Sequence, residues 1–493
     1  MSKNPLKYNA SDADAIYALR QSGADLSNYQ DQLSRERSSR TLTLRRTNRP
    51  LISCVQTRST PLSPHRINRI DTASYPFLDP GYVRHVFQTG DENSALDLLK
   101  NMEDVYNINP KLLQSLISSE SISESINKLL NSLKSIGSIG IVLHYIAVIY
   151  PKCGMNQERL IDDGLVFSLI SYFESNDHYL IECSINLIGV LSENSAYARD
   201  SIICLGLHFD LIQIAQQERT ESLTEMSCNS LSQIFAHTDK IDSTSLNSVI
   251  EPLAPLLFLT NHTAVRSIIN CFVSITNQKP ALVFRLFELG LFPQIVEFMK
   301  FEYLLPSVLP LMGNLSVSQV AHIKLLIEND LLQILKGYIK SPYTPEVFWI
   351  FSNLVESVPH VMLNFFDFSM IDTAMSFAMN GNVDEKREAT FFVSTVIIFS
   401  SSESLNLFLC PEVAEIIETM FECGIVLIIL RCLDAALKLF HYAHNTKQGS
   451  LFIESMLKQE IIDSLVSLSR NGSSFVSDRS EYLLALLEKS QCL

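Results

Sequence analysis

The chain has 493 residues, 47 % of them hydrophobic and 18 % charged. That apolar share suffices to bury a core and excludes a wholly disordered chain. The net charge of −15 excludes a general nucleic-acid binder, which needs basic surface to displace counterions. The charge is uneven: residues 1–70 hold 12 basic and 5 acidic side chains, leaving 26 basic and 48 acidic in the remainder.

Residues 1–30 are polar and mixed, and Asp12, Asp14 and Asp25 interrupt them. Neither a secretory signal nor an acid-poor transit peptide is read there. Residues 31–49 carry Arg35, Arg37, Arg40, Arg45, Arg46 and Arg49, with leucines between them. Residues 50–86 contain Pro50, Pro61, Pro64, Pro76 and Pro80 among many Ser and Thr, the composition of an irregular linker. From about residue 87 the chain changes to leucine- and isoleucine-rich segments of helical length without sustained period-2 alternation, which predicts an all-α fold.

These segments repeat. Gly164, Gly206 and Gly290 each stand between an apolar segment and an apolar helix, where a tight turn accepts positive φ. A further amphipathic helix follows each short polar gap. Its equivalent positions are Tyr145, Val190, Gln233, Ile275, Asn314, Asn353, Thr395 and Lys438, spaced 45, 43, 42, 39, 39, 42 and 43 residues apart. That period lies at or just below the armadillo and HEAT range. One such unit cannot bury its own apolar face, so the units are expected to stack into one solenoid.

No apolar run of 18 residues occurs, and the nearest, from Gly424 to Phe440, is broken by Arg431 and Asp434. It reads as a buried helix and not a membrane span. The ten cysteines form no CxxC pair, which predicts reduced, mostly buried thiols in an intracellular, soluble protein. No phosphate loop is found, since Gly137-Ser-Ile-Gly140 lacks the lysine, and no HExxH or GxSxG motif is present. His441 and His444 share a helix face but lack a third ligand nearby in sequence. No catalytic residue, metal or cofactor is therefore assigned.

Several stretches in order resemble the importin alpha family, the armadillo adaptors of nuclear import. They are the run from Asp163 to Asp200, Gly313-Asn314, Trp349-Ile-Phe-Ser-Asn353, the run from Leu433 to Phe440, and the run from Leu483 to Lys489. The resemblance implies a right-handed armadillo superhelix over residues 87–493 of about ten repeats, a linker over 61–86 and an importin-beta-binding tail over 1–60. In that family the third helix of each repeat lines a concave groove. A Trp and an Asn at i and i+4 there clamp an extended basic nuclear-localisation signal, the Asn on the backbone and the Trp rings on Lys or Arg stems.

This sequence departs from that pattern. The corresponding pairs are Ile141/Tyr145, Asn186/Val190, Asn229/Gln233, Cys271/Ile275, Pro310/Asn314, Trp349/Asn353 and Phe391/Thr395, and only Trp349/Asn353 is complete. By resemblance, Trp349, Asn353, Asn314, Phe391 and Gln233 are the candidate peptide-binding residues, with ordinary helix packing as the other reading of Trp349 and Asn353. The arginines at 35, 37, 40, 45, 46 and 49 resemble a diluted importin-beta-binding segment. Implied partners are importin beta, cargo with basic signals and an export receptor, with residence in cytoplasm and nucleus and neither nucleic acid nor membrane as a partner. The alternative is an armadillo interaction scaffold that has lost classical signal reading.

Overall fold

The structure is a computed structural model. It describes residues 75–491 except 90, 109–112, 114–119, 150–156, 237–240 and 447–448. The expected tail, with its six arginines at 35–49, lies outside the described residues. The described residues form α-helices and short 3-10 turns, with no strand among them. They fall into two compact units that part at residues 336 and 337.

In the unit of residues 54–336 a longer helix closes each repeat. After Glu92–Ile108, which packs on the first of them, these third helices are α1 (Ile136–Ile149), α2 (His178–Asn194), α3 (Glu221–Phe235), α4 (His262–Gln278) and α5 (Leu305–Leu315). Shorter helices precede each, as Gln157–Asp162 and Leu165–Phe173 precede α2. Each third helix packs on the next, α1 on α2 through to α4 on α5. In the unit of residues 337–493 the third helices are α6 (Thr344–Ser357), α7 (Val383–Phe399), α8 (Val426–Thr446) and α9 (Ser474–Gln491), again stacked in order.

The third helices are apolar on more than one side because each serves two interfaces. α2 buries Leu180, Ile181, Ile185, Leu187, Ile188 and Leu191. Removing one such side chain from water contributes about 1.5–3 kcal/mol, so stacking supplies what a lone repeat lacks. The polar gaps read in the sequence are helix caps. The side chains of Asp177, Thr220 and Asn261 accept from the backbone N–H of Leu180, Leu223 and Ala264 at the starts of α2, α3 and α4. Asn382 and Glu385 form a reciprocal capping box on α7.

The turn glycines behave as the sequence predicts: φ is 99° at Gly164, 79° at Gly206 and 66° at Gly290. The next turn of this kind uses no glycine. Asp330, at φ 64°, joins Val320–Glu328 to Leu331–Gly337. All eight equivalent positions of the repeat frame fall on third helices, from Tyr145 on α1 to Lys438 on α8. The caps correct one register. Counting from Asp177, Thr220 and Asn261, the residue equivalent to Val190 and Gln233 is Ser274, so the frame was one residue late at Ile275.

Seven described cysteines are free thiols. Cys183, Cys228, Cys271 and Cys432 are buried, and Cys204 is exposed. Burial pushes the thiols of Cys228 and Cys432 up to about 12. No described helix is long and apolar enough to cross a membrane.

Candidate functional site

Four of the five candidate peptide-binding side chains lie inside the stacks. Trp349 is 5 % exposed, Asn353 2 %, Asn314 1 % and Phe391 0 %, while Gln233 is half-buried. Two of these polar groups stitch repeats together. The Gln233 amide donates to Glu193 at the end of α2 (3.2 Å). Asn314 Nδ2 donates to Thr276 Oγ1 and Asn277 Oδ1, both at 2.9 Å. Thr276 gives its own hydroxyl proton to the Phe272 carbonyl (2.6 Å), so its lone pairs accept and the Asn314 amide is oriented. Both Asn314 amide hydrogens are thereby spent within the unit. On α8, Lys438 Nζ likewise donates to the carbonyls of Ile398 in the last turn of α7 and of Ser400 just past it, at 2.7 and 2.6 Å.

A different set of amides faces solvent. Nine residues after the caps Asp177, Thr220 and Asn261 stand Asn186, Asn229 and Asn270. Asn186 and Asn229 are exposed and Asn270 half-buried. None of the three amides makes a hydrogen bond among the described residues. One turn before each asparagine stand Glu182, Glu225 and Arg266, and one turn earlier again Tyr179, Ser222 and Thr263. Spacings of three and four residues keep each set on one helix face. Because α2 packs on α3 and α3 on α4, the faces adjoin as a row of amides with carboxylates beside two of them.

Close packing sets how near the rows approach. A Cβ on Gly189 of α2 would clash with Gln233 Oε1 and come within 2.7 Å of Ser230 Oγ on α3. Ser230 Oγ donates to the Ile185 carbonyl at 3.0 Å. The α1 end of this surface is acidic: burial, then the nearby carboxylates of Glu103 and Asp104, raises the pKa of the Tyr145 phenol.

In the sequence frame Asn186 and Asn229 stand where the Trp of a Trp/Asn pair would be, so residue type alone gives them no role. The one-residue slip at Ile275 hid Asn270. The cap residues would have recovered the row, since each asparagine follows its cap by the same nine residues.

Among the described residues no group of three or more His, Cys, Asp or Glu is placed to hold a metal ion. His441 is engaged with the Tyr482 hydroxyl at 3.3 Å. A cleft of about 230 Å³ between Glu415, Glu418, Lys458 and Glu460 is polar and open. Burial, then Glu460, Glu422 and Glu415, raises the Glu418 carboxyl there.

No family model matches the chain, and no curated protein matches it. Among solved structures, an engineered protein superposes with a TM-score of 0.67 at 11 % identity, over 83 % of this chain and 98 % of its own. A designed armadillo repeat protein aligns at 16 % identity over 47 % of this chain and 99 % of its own, with a TM-score of 0.42. At 11 % identity the first likeness is one of fold alone. Together with the stacked repeats described above, it places the chain among all-α proteins whose helix–turn–helix units pack as in armadillo and HEAT-like solenoids.

Proposed function

We propose that the chain is a protein-interaction scaffold that holds an extended segment of a partner along the third-helix face of residues 54–336. The observation that carries this reading is the row Asn186, Asn229 and Asn270, the first two exposed and the third half-buried, whose amides make no hydrogen bond among the described residues. A side-chain amide offers a donor and an acceptor to one peptide unit, so such a row clamps a backbone without reading its side chains. Packed helices stand about 8–10 Å apart, which is about three residues of extended chain at about 3.3 Å each. Glu182 and Glu225 beside the row favour basic side chains on the bound segment. Panning a library of extended peptides on the full chain tests this. Enrichment of Lys- or Arg-containing peptides is expected, with about 10- to 100-fold weaker binding to an Asn186→Ala/Asn229→Ala variant, at about 0.5 kcal/mol for each of the donor and acceptor bonds lost. Unchanged binding by that variant defeats the reading.

A second reading, a nuclear import adaptor, is favoured by the six arginines at 35–49. In it the chain moves between cytoplasm and nucleus. The tail docks to importin beta, basic-signal cargo occupies the third-helix face, and an export receptor returns the chain. The Trp349/Asn353 pair and Phe391 take part in this reading only if their side chains turn out of the stack, and Asn314 only if it gives up its bonds to α4.

A further inference from the structure

The residue nine positions after the α7 cap Asn382 is Phe391, the register counterpart of the exposed asparagines. Its ring is fully buried, and what covers one face is Arg431 of α8, with Cζ 5.0 Å from the ring centroid. The same guanidinium donates from Nη2 to Glu356 Oε1 on α6 at 2.5 Å. The contact joins residues 75 positions apart and ties three successive third helices. The Arg431 and Glu356 side chains are only 5 % and 2 % exposed. Glu356 Oε2 is buried without a hydrogen-bond partner among the described residues.

We propose that Phe391 and Glu356 form a guanidinium slot in the unit of residues 337–493, and that Arg431 fills this slot from within the chain. An aromatic face and a carboxylate at its edge are the two surfaces a planar guanidinium recognises, by stacking and by paired N–H donation. A lysine ammonium matches neither the plane nor the fork. The half-used carboxylate fits this assignment: Arg431 reaches one oxygen, while a free guanidinium placed in the slot can address both. Stability alone is a weak reason to keep such a pair, because well-packed apolar groups hold a helix interface as well as a buried ion pair. The slot accepts an arginine side chain of a partner only when Arg431 withdraws, and the amide row of the other unit works independently of it.

The test removes the internal occupant and supplies a small one. Full-length Arg431→Ala is melted with ethylguanidinium or ethylammonium at equal millimolar concentration and matched ionic strength. The expected result is a thermal midpoint several degrees below the unaltered chain, partly restored by ethylguanidinium and not by ethylammonium. Adding Glu356→Gln is expected to abolish the rescue, and the unaltered chain is expected to respond to neither ion. Equal effects of the two ions, or rescue that survives Glu356→Gln, overturn the proposal. If Arg431→Ala does not fold in plain buffer, it is refolded in each ion. Recovery of soluble helical protein with ethylguanidinium only then supports the slot, and recovery with both or neither overturns it.

Discussion

His208 illustrates how burial without a partner sets a residue's chemistry. It occupies the second position of Leu207–Gln217 and is 3 % exposed, with its ring 4.1 Å from Phe209 and 6.0 Å from Phe235 between centroids. Its Nδ1 is buried with no hydrogen-bond partner among the described residues. Burial lowers the imidazole pKa from 6.5 to about 4, and the positive end of the helix dipole acts in the same direction. The folded chain therefore holds His208 neutral where the unfolded chain protonates it. Between pH 6.5 and 4 the unfolded state binds more protons, so stability falls as pH falls through that window. The ceiling on the loss is about 3 kcal/mol, reached below pH 4. Thermal midpoints of the unaltered chain and of His208→Leu, measured from pH 7 to 4, check this: the variant is expected to lose markedly less on acidification. Parallel curves would show that the ring does not drive the dependence. Asn314 stands at the opposite limit, with both amide hydrogens bound, and this bonding separates it from the Asn229 amide, which bonds nothing among the described residues. Residue type alone does not distinguish the two.

At the level of the element, the turn between the first two helices of a repeat is fixed by backbone conformation. A Cβ at Gly164 or Gly290 would meet nothing within 4 Å, so left-handed φ is what favours glycine there. Asp330 adopts the same conformation at φ 64° while its side chain is exposed. A β-branched residue tolerates that φ poorly, and Asp330→Val is expected to lower stability by about 1–2 kcal/mol, whereas Asp330→Gly is not. Urea titration of the two variants checks the pair, and a valine variant as stable as the glycine one would contradict the backbone argument. This turn also shows what the sequence could reveal. The repeat period, the three glycine turns and the placement of all eight equivalent positions on third helices follow from apolar spacing and chain sterics, which are local. The caps are local too, and Asp177, Thr220 and Asn261 fix the register more sharply than the apolar pattern, which slipped by one residue at Ile275. Burial was not legible, because it depends on neighbours about 40 residues away. Trp349 with Asn353 has the spacing of a groove pair, yet both lie inside the stack. Asn186 and Asn229 carry no such signature, and they face solvent.

Across the whole chain the asymmetry of charge remains the broadest feature. Residues 1–70 carry a net +7 and the remainder −22, so a basic segment precedes an acidic body that carries half-buried Glu182 and Glu225 beside the exposed Asn186 and Asn229 on one face of its third helices. Two electrostatic outcomes compete for that tail. It pairs with an acidic partner such as importin beta, as the adaptor reading proposes, or it is attracted to the acidic body of its own chain, and each attraction weakens as salt screens exposed charges beyond about 10 Å at 0.1 M. Arginine favours the partner whose carboxylates can pair in forks. The adaptor reading therefore predicts that the full chain binds importin beta with an affinity that falls steeply with ionic strength. Deleting residues 1–70 should abolish that binding, and Arg45→Glu/Arg46→Glu should weaken it more than 10-fold, since each substitution turns an attraction into a repulsion. Titration at two salt concentrations checks all three forms together. Equal binding with and without residues 1–70 would remove the tail from the mechanism, and no binding by the full chain would leave the scaffold reading on its own, with the amide row as its working surface.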